Sequence, residues 1–316
     1  MVAQITPLPP KLALNPWESN AMLKKLSVSL LGLLLALTAG QTVQAETVLE
    51  KAARTGQLTL GVNLNRVPFS YVNDKNELVG YTLDIAELIR REVSSALGKD
   101  IQLIRVEAPD VTAAIPKLLT GEIDLACDSA FTWERDRYVD FTVSYGVTGL
   151  QLLAQGNLKL ETPADLAGKK IAVVPNSVAE KTLKSVQPKA VIVPVPSLQE
   201  GAQALKAGKV DGVAGDGLLL RGLKLTEGLD SAKLMPEKAY SSYGIGCMVA
   251  HNNPAFLRLA NQAIVRLAEG YVFGDPEPTA LINRWFGPQG VLPVEPERIR
   301  SFFNFILITH EQVPKQ

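Results

Sequence analysis

The residues best suited to chemistry sit in one stretch, Glu122-Ile-Asp-Leu-Ala-Cys-Asp-Ser-Ala-Phe-Thr-Trp-Glu-Arg135. The apolar run at 123–127 predicts a short buried strand, followed by a polar turn and a helix start. Ser129 and Thr132 offer hydroxyls at that turn, and Arg135 lies just inside the helix. The first turn of a helix carries N–H groups without partners, and an arginine fork grips a carboxylate through two parallel hydrogen bonds. Such a segment suits a small anion. A capped helix with a surface arginine gives the same pattern, so the motif alone leaves both readings open.

Other chemistries find little support. The chain has two histidines (His251, His310) and two cysteines (Cys127, Cys247) at no metal-site spacing, so neither a metal nor another cofactor is expected. Basic and acidic residues balance at 32 each, which removes the positive field that nucleic acid would need. With 47% apolar residues in 316, the chain has ample material for a core.

The elements that must position these residues fall into two series. Strands at 58–64, 101–106 and 123–127 alternate with helices at 81–97 and 111–119, as in βαβ units around a largely parallel sheet. A strand at 150–154 follows. The second series has strands at 170–174, 191–195 and 210–214 and helices at 177–186 and 198–207. The remaining segment, from Ile245 through a helix at 254–269 to Trp285-Phe286-Gly287, needs a sheet to pack on, and a return to the first series is the simplest solution. The expected fold is therefore α/β and two-lobed. Lobe one spans 46–146 and 243–316, and lobe two spans 147–242. Two extended crossings lie near Thr148 and Ser241, with a cleft between the lobes where a ligand would bind. The aromatic stripe at 298–308 (Ile299, Phe302, Phe303, Phe305, Ile306) reads as packing.

The N-terminus reads as an export signal. Lys24 and Lys25 precede an apolar run at 26–37, and small residues at Val43 and Ala45 mark cleavage after Ala45. The run is too short for an ordinary membrane span. Residues 1–21 are unlike a signal n-region, which makes Met22 a candidate start. Loss of Lys11, Lys24, Lys25 and Glu18 leaves a nearly neutral mature chain with 29 basic and 31 acidic residues. No cysteine stands at the cleavage site, so the product is expected free in an oxidising envelope compartment rather than as a lipoprotein. There two cysteines can pair.

Several motifs, in order along nearly the whole mature chain, resemble the periplasmic solute-binding proteins for polar amino acids of ABC importers (solute-binding protein family 3). They are Val67-Pro-Phe-Ser-Tyr, Val79-Gly-Tyr-x-x-Asp84, Ile115-Pro-x-Leu, Gly121-x-Ile-Asp, Thr132-x-Glu-Arg135 with Val139-Asp-Phe, and Asp165-Leu-x-Gly-Lys-Lys-Ile-Ala-Val. Gly215-Asp216, Tyr243-Gly-Ile and Arg284-Trp-Phe complete the set. Cys127 and Cys247 are most similar to the glutamate/aspartate-binding branch, and the resemblance implies a disulfide between them.

The resemblance also implies a type II periplasmic-binding-protein fold and an α-amino-acid site shared by both lobes. Arg135, helped by Thr132, would take the α-carboxylate. Asn176 and Ser177 would add an anion contact at a second helix start, and Asp216 would accept the α-ammonium. Taken alone, Asp216 reads as a turn or N-cap aspartate. Three positions depart from the family: Asp128 and Ala130 replace a glycine or serine and a hydroxyl residue, and Asn176 replaces a glycine. Asp128 would repel an anion or neutralise Arg135, while Ser129 would stand in for the lost hydroxyl. Asn63 stands where the glutamate/aspartate branch has its side-chain-reading arginine. Arg66 stands where relatives place an aromatic lid, and it reads more readily as a surface salt bridge than as a ligand contact. The implied protein is a monomer that delivers its ligand to a membrane permease. The alternatives are an enzyme resembling cyclohexadienyl dehydratase, with Glu134 and Asp128 as candidate acid–base groups, and an orphan or sensory binding protein.

Overall fold

The computed structural model describes residues 46–310, so the signal peptide expected at 1–45 lies outside the described residues. The chain opens with α1 (Val48–Thr55), β1 (Gln57–Val62), β2 (Asn65–Arg66), β3 (Ser70–Val72), β4 (Leu78–Val79), α2 (Tyr81–Leu97) and β5 (Gln102–Glu107). Then come α3 (Val111–Leu119), β6 (Leu125–Ala130), α4 (Trp133–Asp136), β7 (Val139–Phe141) and the long β8 (Gly146–Gln155). The second series is β9 (Lys170–Val173), α5 (Val178–Val186), β10 (Val191–Pro194), α6 (Leu198–Lys206), β11 (Gly212–Asp216), α7 (Gly217–Thr226) and β12 (Ala232–Met235). It closes with β13 (Ser242–Ala250), α8 (Pro254–Phe273), α9 (Pro276–Phe286) and α10 (Pro296–His310).

Local chemistry fixes the boundaries that matter. Helix α3 starts where the Asp110 carboxylate accepts the Ala113 N–H at 2.8 Å, and α2 ends at Gly98 in the left-handed region. Strand β6 begins two residues later than the apolar run suggests and continues through Asp128 to Ala130. Asp128 and Ser129 are therefore buried strand residues and not part of a polar turn.

The strands run in the order β10-β9-β11-β8-β13-β6-β1-β5. Pairing is parallel within β1, β5 and β6 and within β9, β10 and β11. The sheet is nonetheless more mixed than expected, because β8 and β13 run antiparallel to all their neighbours. These two strands pair with each other, Ser242 opposite Gly149 and Tyr243 opposite Thr148, and join the two halves of the fold. A Cβ at Gly149 would come within 2.1 Å of the Ser241 carbonyl oxygen, so this crossing needs glycine. Beyond the crossing, β13 pairs with β6 and β7.

Each lobe has its own core. Around β1 and β6 pack Leu58, Leu60, Ile85, Ile89, Phe256, Ile264 and Phe303; around β8, β9 and β11 pack Leu152, Ile171, Val173, Leu183, Val213 and Leu220. Each fully buried side chain of this kind contributes about 1.5–3 kcal/mol. In α10, Phe303 and Ile306 are buried while Phe305 stays exposed, so the stripe packs on one side.

Cys127 and Cys247 form a disulfide that closes a separation of 120 residues. In the chain-entropy picture such a loop contributes on the order of 4–5 kcal/mol. The two Cα atoms are 3.7 Å apart, closer than the roughly 5–6 Å usual for a bridge. They lie on adjacent antiparallel strands where the register shifts between Gly246 and Met248.

Candidate ligand-binding site

The lobes meet across a cleft and are closed on each other. Asn65 Nδ2 donates to Gln199 Oε1 at 2.7 Å, and Lys181 pairs with Glu134 across the rim. Helix α7 presses against the loop after β2 so closely that a Cβ on Gly222 would lie 2.2 Å from the Val67 carbonyl oxygen. Between the lobes is a cavity of about 130 Å³. Arg135, Asp128 and Tyr243 line it from one side, and Ser177, Asp216 and Leu219 from the other.

Arg135 lies within the single turn of α4, whose N-cap is Thr132; the Thr132 hydroxyl accepts the Arg135 N–H at 3.3 Å. One turn gives little helix dipole, so the anion affinity expected of a helix start rests on the guanidinium itself. Its Nη1 donates to the Ala130 carbonyl at 2.8 Å. No carboxylate lies within ion-pairing distance of it among the described residues. Burial, and then the positive charge of Arg66, push the Arg135 pKa down. A positive group held out of water without a counter-ion attracts an anion.

Asp216 is both the N-cap of α7 and a wall of the cavity. Its Oδ1 accepts the Leu218 and Leu219 N–H groups at 3.0 and 3.2 Å and the Thr148 hydroxyl at 2.8 Å. Oδ2 receives only a long contact, 3.4 Å, from the Tyr243 hydroxyl. The cap therefore uses one oxygen and leaves the other toward the cleft. Burial raises its pKa against those stabilising bonds.

Asp128 does not pair with Arg135. Its partner is Arg66, with Nε 3.1 Å from Oδ2, so Arg135 is not neutralised, and Arg66 forms its salt bridge with a buried carboxylate and not with a surface one. The reason is conformational: Asp128 sits at φ 63°, turning its side chain toward β2. The Asp128 N–H donates to the Tyr145 hydroxyl at 2.6 Å. Burial pushes the Asp128 carboxyl up to about 7, opposed by Arg66 and reinforced by Asp216.

The other sequence-selected residues divide. Asn63, Arg66, Asp128 and Ser129 line a small hollow of about 20 Å³ that meets the main cavity at Asp128. Asn63 is held by two bonds, one to the Pro109 carbonyl of a distant loop and one from the Asn65 N–H. Ser177 reaches the cavity but also caps α5, accepting the Glu180 N–H at 3.1 Å. Asn176 does not line the cavity, and its N–H is taken by Glu180 Oε2 at 2.7 Å.

Residues 58–288 match the bacterial extracellular solute-binding proteins, family 3. The chain belongs to this family. It is 25% identical over 268 residues to the glutamate/aspartate import solute-binding protein of Salmonella typhimurium, covering 82% of this chain and 85% of that one. It is 25% identical over 259 residues to the L-cystine-binding protein of Escherichia coli, covering 80% and 92%. The crystal structure of a mutant ArgBP from T. maritima superposes with a TM-score of 0.65 at 22% identity, covering 76% of this chain and 99% of that one. The fold is thus the two-lobed type II architecture of periplasmic amino-acid-binding proteins.

Sequence reasoning missed the tyrosines and a threonine of this family member's cleft. Tyr243 and Thr148 hold Asp216, and Tyr145 holds Asp128. Tyr243 lies within the Tyr243-Gly-Ile motif, which could have drawn attention to it. Tyr145 and Thr148 stand in no motif that would single them out.

Proposed function

We propose that this solute-binding protein captures a polar amino acid between its lobes in the periplasm and presents it to the membrane permease of an ABC importer. One observation carries the reading. A guanidinium from one lobe and a carboxylate oxygen from the other face one cavity, each lacking a strong partner on its cavity side. A zwitterion supplies both missing charges, the α-carboxylate to Arg135 and the α-ammonium to Asp216 Oδ2. The cavity, about 130 Å³, is below the roughly 300–1,000 Å³ of drug-sized sites and suits one small molecule. The working lobes are 46–146 with 243–316, and 147–242. The ligand stabilises the closed state because it touches both.

The test is a thermal-shift screen of the twenty amino acids and small organic acids. A true ligand at 100 times its dissociation constant adds about 2.7 kcal/mol of stability; a flat response to every amino acid overturns the reading.

A dehydratase is the second reading, because a carboxyl pushed up to about 7 in the cleft has the proton affinity of a general acid. The other sequence candidate, Glu134, does not line the cavity and pairs with Lys181 at the rim. Turnover of a prephenate-like acid by the purified protein would establish the enzyme, whereas a shift without turnover favours the carrier.

A further inference from the structure

We propose that the Arg66–Asp128 pair is a built-in counter-ion set that restricts the cleft to amino acids with uncharged polar side chains, carboxamides above all. The inference rests on the amino-acid-binding reading above and narrows its substrate class.

The argument starts from charge. Four ionisable groups are linked in this cleft: Arg66 acts on Asp128, Asp216 and Arg135, and Asp216 acts on Asp128. Two are positive and two negative. The α-carboxylate and α-ammonium of a bound amino acid engage Arg135 and Asp216, one of each sign. What remains is Arg66 with Asp128, in contact at 3.1 Å and themselves balanced. A charged ligand side chain would have to break that pair. An acidic one would draw Arg66 away and strand the Asp128 carboxylate, 7% exposed. A basic one would draw Asp128 away and leave Arg66 without its partner. Removing one partner from a half-buried pair is unfavourable while Asp128 is ionised, and like charges brought together add to the cost. An uncharged side chain leaves the pair intact.

Geometry adds a positive preference. Arg66 engages Asp128 through Nε, and no hydrogen bond from its Nη groups is made among the described residues. Asp128 Oδ1 is likewise without a hydrogen-bond partner among the described residues. The pair therefore presents donors and an acceptor on neighbouring atoms, beside Ser129 and Asn63 in the small hollow. A primary carboxamide carries one acceptor oxygen and two donor hydrogens, the complement of that edge. The side-chain end of this cleft therefore holds both signs of charge, paired with each other.

The experiment is calorimetric titration of the purified mature protein at about pH 8, where Asp128 is ionised, with L-glutamine, L-asparagine, L-glutamate and L-arginine. The expected result is binding of at least one carboxamide more than tenfold tighter than of glutamate or arginine, a difference of about 1.4 kcal/mol or more. Asp128→Asn is the companion variant, since asparagine tolerates the left-handed conformation that position requires. It frees Arg66, and the glutamate-to-glutamine affinity ratio should move at least tenfold toward glutamate. Tighter binding of glutamate or arginine by the wild-type protein overturns the inference and leaves the binding function standing. An unchanged ratio in Asp128→Asn overturns it as well. A wild-type protein that binds none of the four, yet shifts with another amino acid, refutes the carboxamide preference; one that answers to no amino acid sinks the function beneath it.

Discussion

Two arginines face the same cleft and do opposite things. Arg135 is half-buried, tied only to the Ala130 carbonyl, and has no carboxylate in reach among the described residues. Arg66 lines the small hollow beside that cavity, and its charge is spent on Asp128. The difference is set by where the nearest carboxylate lies and not by the arginines themselves. A desolvated cation without a partner is a site for a ligand; one with a partner is part of the wall. Two clean perturbations should separate them.

Arg135→Ala should have the largest effect, and on binding alone. Truncating one member of a desolvated charge pair costs about 2–5 kcal/mol, so affinity should fall more than about thirtyfold in a calorimetric titration. The melting temperature of the unliganded protein should hold or rise, because an unpaired buried charge is removed; a clear fall would erase the contrast with Arg66.

Arg66→Met should act first on the fold. It leaves Asp128 without its counter-ion and lowers the unfolding free energy, read from urea denaturation. The loss should be less than the roughly 3–5 kcal/mol of a fully buried pair, since the Arg66 side chain is 27% exposed and Asp128 can take up a proton near neutral pH. Unchanged stability would mean the pair contributes nothing to the wall.

Asp216→Asn sharpens the comparison from the opposite lobe. Asparagine caps a helix as well as aspartate does, so α7 and the melting temperature should be preserved. The charge offered to the ligand ammonium is lost, and affinity should drop by about 1.5–3 kcal/mol, roughly ten- to a hundredfold. A fall in stability without a fall in affinity would make Asp216 a cap and nothing more.

The smallest effect, per unit of pH, belongs to Asp128. In the unfolded chain its carboxyl gives up a proton near pH 4, while in the fold it keeps it to about pH 7. Between those values the folded state binds the extra proton, so rising pH costs stability, by up to about 1.4 kcal/mol per pH unit. Asp128→Asn should flatten the melting profile over pH 4–7. Part of the slope should remain, because burial also raises Asp216 and Asp124. An unaltered profile would show that Asp128 titrates as an ordinary surface carboxylate.

Local signals made the scaffold legible. The helices at 81–97 and 111–119 were readable to the residue because Gly80, Gly98 and Asp110 mark their ends. Strand β6 was read two residues early because apolar character stops at Cys127 although burial does not; the strand carries a buried serine and a buried aspartate, the latter partnered by Arg66 and Tyr145. The family motifs brought Arg135, Asp216 and Ser177 to one cavity. They could not say which arginine would meet Asp128. That pairing depends on the φ of one residue and on a strand 62 positions away in sequence. The antiparallel course of β8 and β13 was equally hidden, because a strand's direction leaves no mark on its own composition.

The disulfide has a mechanical consequence. Cys127 immediately precedes Asp128, and Cys247 lies four residues beyond Tyr243 on the strand that runs into the crossing. The covalent tie makes the cavity floor of one lobe and the root of the hinge a single stiff plate. Any torque on β13 is then handed to Asp128 without slack, and the bending is left to the short span where Gly149 faces Ser242.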